Sequence, residues 1–142
     1  MNFRFLLLII LSWPAASDEL ELVFRESHFL GQYRHEIYIN TGQYIYIDDH
    51  YKLDNDSKWV PKTPTLKTKT LNIDEQADLI TQLIELGVND WRSEYPENDI
   101  ALICDGLSFT FYIKSDKLNV YSSGGCRFPL NYEKVRQTLE DL

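Results

Sequence analysis

Leu20, Leu22 and Phe24 alternate with charged residues and predict a first strand over residues 19–26, apolar on one face and wet on the other. Two further alternating runs, 33–40 and 43–48, flank Thr41-Gly42 and predict a hairpin. Its register decides which side chains share a face. A two-residue loop pairs Ile39 with Tyr44 and Ile37 with Tyr46, mixing aliphatic and phenolic side chains on both faces. A three-residue loop of Asn40, Thr41 and Gly42 gives Gly42 the left-handed position and pairs Tyr38 with Tyr44 and Ile37 with Ile45. This second register gathers Ile37, Ile39, Ile45 and Ile47 on one face and Glu36, Tyr38, Tyr44 and Tyr46 on the other, and is the one expected.

Residues 49–65 are polar and carry Pro61 and Pro64, which reads as a long loop before a short strand over 66–70. Lys67 and Lys69 suit a guarded sheet edge. With Lys58 and Lys62 they form a stretch free of acid between Ser57 and Ile73, a pattern that fits a solvated edge or a docking patch for an acidic partner. Asn72 and Glu75 have capping-box spacing, and Ile73, Leu79, Ile80, Leu83 and Ile84 form the apolar stripe of a helix that Gly87 ends. Runs at 100–104 and 107–113 flank Asp105-Gly106, a second hairpin signal. Leu118 and Val120 mark a strand over 118–122, closed by Gly124-Gly125. Asn131 then caps a last helix with Val135, Leu139 and Leu142 on one stripe and Leu130 stapled to Val135.

Strands, helix, strands, helix predict a two-layer α+β domain: an antiparallel sheet of five or six strands with two helices on one face. The N-terminus is read differently. Arg4, the apolar run 5–11 and the small residues Ala15 and Ser17 have the form of a secretory signal peptide over residues 1–17, leaving one domain over 18–142. Export makes a disulfide between Cys104 and Cys126 the expected state, worth about 3 kcal/mol through chain entropy. In a simple meander the two cysteines sit two strands apart, so either Gly124-Gly125 curls Cys126 over the sheet end or the strand order differs.

Asp105-Gly106, Phe109, Phe111, Ile113, Gly124 or Gly125, Phe128-Pro129 and Tyr132 together resemble the closing pattern of small uncharacterised secreted bacterial α+β domains. The resemblance covers about a quarter of the chain, counted from Asp105, and implies the fold and a bacterial envelope setting. It carries no activity.

Charge narrows the partners. The chain has 22 acidic against 14 basic residues, a formal charge of −8, which repels a nucleic-acid phosphate track. No run beyond the leader is long and apolar enough for a membrane span. His28, His35 and His50 lack metal-motif spacing, and Asp54-Asn55-Asp56 lacks the glycine and glutamate that complete a calcium loop, so no metal or cofactor is expected. No phosphate loop, nucleophile elbow or Cys-His pairing appears; the one catalytic alternative is a small hydrolase or metal-dependent enzyme using His50 with Asp48 or Asp49.

What remains is a surface. The expected register leaves Tyr38, Tyr44, Tyr46, Tyr112 and Tyr121 on the face away from the helices, with Glu36 and Lys114 at its rim. Tyrosine supplies apolar contact area at small entropy cost, although it also simply favours strands. The expectation is a periplasmic or secreted protein-binding module, such as an inhibitor or immunity-type antagonist of an envelope-acting toxin or hydrolase, with a basic protein as partner. A structural homodimer through the same face is the other alternative.

Overall fold

The computed structural model describes residues 20–28, 33–95 and 106–142. Among them the elements run β1 (Glu21–His28), β2 (Tyr33–Asn40), β3 (Gln43–Leu53), β4 (Trp59–Pro61), β5 (Thr65–Thr70), α1 (Ile73–Glu85), β6 (Glu94–Tyr95), β7 (Leu107–Lys114), β8 (Asn119–Gly125) and α2 (Tyr132–Glu140). The strands make one open mixed sheet. β1 is central, antiparallel to β2 on one side and β7 on the other, with β3 beyond β2 and β8 beyond β7. β4 and β5 pair with successive stretches of the outer edge of β3, and β6 runs parallel to β8 at the opposite edge.

The α+β class and its two helices stand, while the five or six antiparallel strands expected are, among the described residues, eight with one parallel pair. Part of the difference lies in the stretch read as a loop over 49–65. There β3 continues to Leu53, and the chain returns as β4 before entering β5. The run at 100–104, with Cys104, and the expected leader over 1–17 fall outside the described residues.

Strand alternation builds the core. Leu22, Phe24, Ile37, Ile39, Phe111 and Ile113 are buried on one sheet face and join Leu79, Ile80 and Leu83 of α1 and Tyr132, Val135 and Leu139 of α2 in one cluster. Each such side chain contributes about 1.5–3 kcal/mol on leaving water. Trp91, after α1, meets Phe111 and Tyr132 with ring centroids 5.1 and 6.1 Å apart, and Phe109 and Phe128 complete the aromatic end of this core.

The caps divide. Asn72 and Glu75 form the expected reciprocal box at 2.9 and 2.8 Å, but Ile73 and Ile84, at the ends of the predicted stripe, are exposed. Asn131 takes a left-handed conformation and does not cap α2; its Nδ2 donates to Leu86 O at 3.1 Å, tying the start of α2 to the end of α1. Leu130 is 83% exposed, so it does not staple Val135.

The hairpin takes the two-residue register and not the expected three-residue one. Asn40 pairs with Gln43, Ile39 with Tyr44 and Ile37 with Tyr46 across a two-residue turn. Thr41 accepts φ 49° beside Gly42 at φ 75°, so both turn residues adopt the left-handed conformation that two-residue hairpins require.

Candidate functional site

Moving the register by one residue exchanges the faces of β3 relative to β2. Tyr44 and Tyr46 therefore lie on the helix side, and Ile45 and Ile47 on the opposite side. Tyr44 is 2% exposed and its hydroxyl donates to Leu139 O at 2.9 Å, a partner that makes burial of a phenol affordable. Tyr46 is half-buried, in edge contact with His35 at 5.2 Å and capped by Lys67 Nζ 4.9 Å from its ring centre. The placement of these two rings on an outward face is thus corrected: the expectation of uniform isoleucine and tyrosine faces ignored a hydroxyl acceptor that only α2 supplies.

The other three tyrosines stand on the face away from the helices. Cross-strand pairing places Thr68, Ile45, Tyr38, Val23, Tyr112 and Tyr121 in a single row across six strands, about 24 Å long at the usual strand spacing. Tyr121 is 54% exposed and Ile45 36%; Val23, Tyr38 and Tyr112 are half-buried among one another. No helix of the described residues covers this row. The next row carries Leu66, Ile47, Glu36, Arg25, Thr110 and Ser123.

Ion pairs brace the centre. Arg25 Nε donates to Tyr38 Oη at 3.0 Å and lies 3.6 Å from Glu36 Oε1, while Arg34 Nη2 binds the other Glu36 oxygen. Burial pushes the Glu36 carboxyl up, but hydrogen bonds from Arg34 and Tyr38 and the charges of both arginines outweigh it and hold it below the usual carboxylate range. By strand alternation Glu21, Glu36, Asp49 and, at the β6 edge, Glu94 share this face with Arg25, Arg34 and Lys114, so it carries a net −1 while the whole chain carries −8.

The helix side holds a second, buried constellation. Glu26 is 1% exposed and His35 2%, and they are neighbours across β1 and β2. Tyr132 donates to Glu26 Oε1 at 2.7 Å; His35 Nδ1 is 3.3 Å and Arg136 Nη1 3.6 Å from Oε2. Glu140 Oε1 lies 3.5 Å from His35 Nδ1 and 3.6 Å from Arg136 Nε. Burial first, and the Glu26 charge second, push the Tyr132 phenol far above its usual value. The arrangement fastens α2 to the sheet and leaves these groups little access to a substrate. Sequence parity carried the signal: Glu26 continues the buried series Leu22, Phe24, and His35 precedes Ile37, Ile39.

The catalytic alternative is narrowed. His50 Nδ1 lies 2.9 Å from Asp48 Oδ1, with both side chains partly exposed, whereas Asp49 points to the opposite face opposite Arg34. His28, His35 and His50 share the helix side of three adjacent strands, yet no three of His, Cys, Asp or Glu among the described residues are placed to hold a metal ion. Among the described residues no helix is long and apolar enough to cross a membrane. Cys126 donates its N–H to Leu107 O at 2.9 Å, at the start of β7; Cys104, its expected disulfide partner, lies outside the described residues.

No family model matches the chain, and no curated protein and no solved structure matches it either.

Proposed function

We propose that the chain is an exported protein-recognition module that acts by occlusion, in the manner of an immunity-type antagonist of an envelope toxin or hydrolase. Its contact surface is the row Ile45, Tyr38, Val23, Tyr112 and Tyr121. The observation that carries this reading is the row itself: apolar and aromatic side chains across the sheet, on a face whose own charges nearly balance. Isolated exposed apolar residues are ordinary; a contiguous stripe marks a contact surface. The occupant is a basic protein with an apolar centre, drawn by the −8 charge of the chain and seated on the tyrosine row. The leader over 1–17 and the Cys104–Cys126 disulfide belong to the same reading, since both suit an oxidising compartment.

The test is capture from envelope extract on the immobilised full mature chain, with the captured protein then purified and its binding remeasured. Tyr112→Ala with Tyr121→Ala should abolish binding, and Lys134→Ala, on the helical layer, should leave it intact. Binding that survives the tyrosine pair contradicts the proposal. Concentration-dependent dimerisation broken by that pair would assign the face to a second copy instead.

A further inference from the structure

The register also fixes which backbone groups of β5 point outward. Asn40 and Gln43 close the two-residue turn as a hydrogen-bonded pair, so Tyr44, Tyr46 and Asp48 aim their N–H and C=O groups at β5. The Leu71 N–H bond to Gly42 O at 2.7 Å continues the same ladder. Thr65, Lys67 and Lys69 therefore bond to β3. Leu66, Thr68 and Thr70 turn their N–H and C=O groups away from the sheet, where no strand pairs with them among the described residues. All residues from 66 to 70 are exposed.

Two guards that sheets use at such an edge are missing from β5. Along β4, the Lys62 N–H bond to His50 O at 2.9 Å leaves Pro61 at an outward position, where it offers no donor. β5 contains no proline. Its lysines are folded back onto the helix side, Lys67 over the Tyr46 ring and Lys69 Nζ 2.9 Å from Glu75 Oε1, and do not stand across the strand's outer edge. The edge is also basic. Lys58, Lys62, Lys67 and Lys69 occur with no acid between Ser57 and Ile73 in a chain of charge −8, and Lys58 and Lys62 are exposed and make no ion pair among the described residues.

We propose that β5 accepts an extended segment of another protein by strand addition, and that this segment alternates acidic with β-branched residues. Its acids lie on the helix side beside Lys67 and Lys69, and its β-branched side chains lie on the opposite side beside Leu66, Thr68 and Thr70. Charge selects this occupant over a second copy, because pairing β5 with its own image brings lysines against lysines. The inference is independent of the tyrosine row.

Fluorescence anisotropy with a labelled Glu-Val-Glu-Thr-Glu-Val-Glu peptide and its lysine counterpart tests it on the full mature chain. The acidic peptide should bind saturably, and the lysine peptide at least about tenfold more weakly. Thr68→Pro removes one outward donor without breaking a bond to β3 and should weaken binding about tenfold or more, while Thr68→Ala stays within about twofold. Hydrogen exchange on the unmutated chain, which does not depend on how Thr68→Pro folds, should slow at Leu66, Thr68 and Thr70 when the acidic peptide is added. Absence of saturable binding, equal binding by Thr68→Pro, or binding without slowed exchange at those amides overturns the proposal. Self-association abolished by Thr68→Pro overturns it as well, in favour of a second copy.

Discussion

Replacing Tyr132 by Phe removes one oxygen and keeps every ring contact to Phe24, Trp91, Phe109 and Phe128. What is lost is the 2.7 Å bond to Glu26 Oε1, on a carboxylate that is 1% exposed and has His35 and Arg136 only at 3.3 and 3.6 Å on its other oxygen. A hydrogen bond to a charged group contributes about 1.5–3 kcal/mol, and a single missing oxygen leaves no cavity worth counting, so the expected destabilisation is about 2 kcal/mol. Tyr44→Phe, whose hydroxyl serves the neutral Leu139 carbonyl, should lose about 1 kcal/mol. Tyr121→Phe should lose almost nothing. Urea unfolding followed by Trp91 fluorescence reads all three, with unchanged denaturant slope as the sign that the end states are the same. Equal effects for Tyr132→Phe and Tyr121→Phe would refute the reasoning, since they would mean that Glu26 does not depend on the phenol.

Larger truncations should separate the two faces. Tyr44→Ala should cost about 3–5 kcal/mol in urea unfolding and Tyr121→Ala less than about 0.5, and comparable costs would return the hairpin to the bulged register. Gly124→Ala should destabilise by about 1–3 kcal/mol, because its methyl would lie 2.6 Å from Arg127 O and 2.7 Å from Phe109 Cε1; an unchanged melting temperature would mean that this close approach is relieved at no cost. Burial raises the Tyr44 and Tyr132 phenols above their usual value. The unfolded phenols ionise near pH 10, so the stability these two contribute is complete below that pH and falls above it, by about 1.4 kcal/mol per pH unit for each. Unfolding free energies that stay level from about pH 9 to about pH 11 would contradict this.

Local signals in the sequence were sufficient where the chain satisfies itself locally. The Asn72–Glu75 box closes within one helical turn, and alternation in β1 and β7 sorts Leu22, Phe24, Phe109 and Phe111 inward. The hairpin at Thr41-Gly42 was legible in position but not in register. The choice between registers turns on whether a buried phenol finds an acceptor, and the Leu139 carbonyl that receives Tyr44 belongs to a helix at the far end of the chain. The insertion of β1 between β2 and β7 was likewise out of reach, because β7 pairs with a strand far earlier in the sequence that no local pattern ties to it. Asn131 had the right residue type for a cap, and its side chain was taken instead by Leu86 O across the helix pair. Strand alternation alone puts Tyr38, Tyr112 and Tyr121 on the face away from the helices, whereas Ile45 joins that face only in the two-residue register.

Oxidative footprinting of tyrosines, on the free chain and again with the captured partner bound, bears on register and recognition together. In the free chain Tyr121 should label readily and Tyr38 and Tyr112 more slowly, with Tyr44 and Tyr132 silent; the partner should protect the first three and leave the rest unchanged. Labelling of Tyr44 as fast as Tyr121, or a complex in which Tyr38, Tyr112 and Tyr121 label as they do alone, would contradict the account.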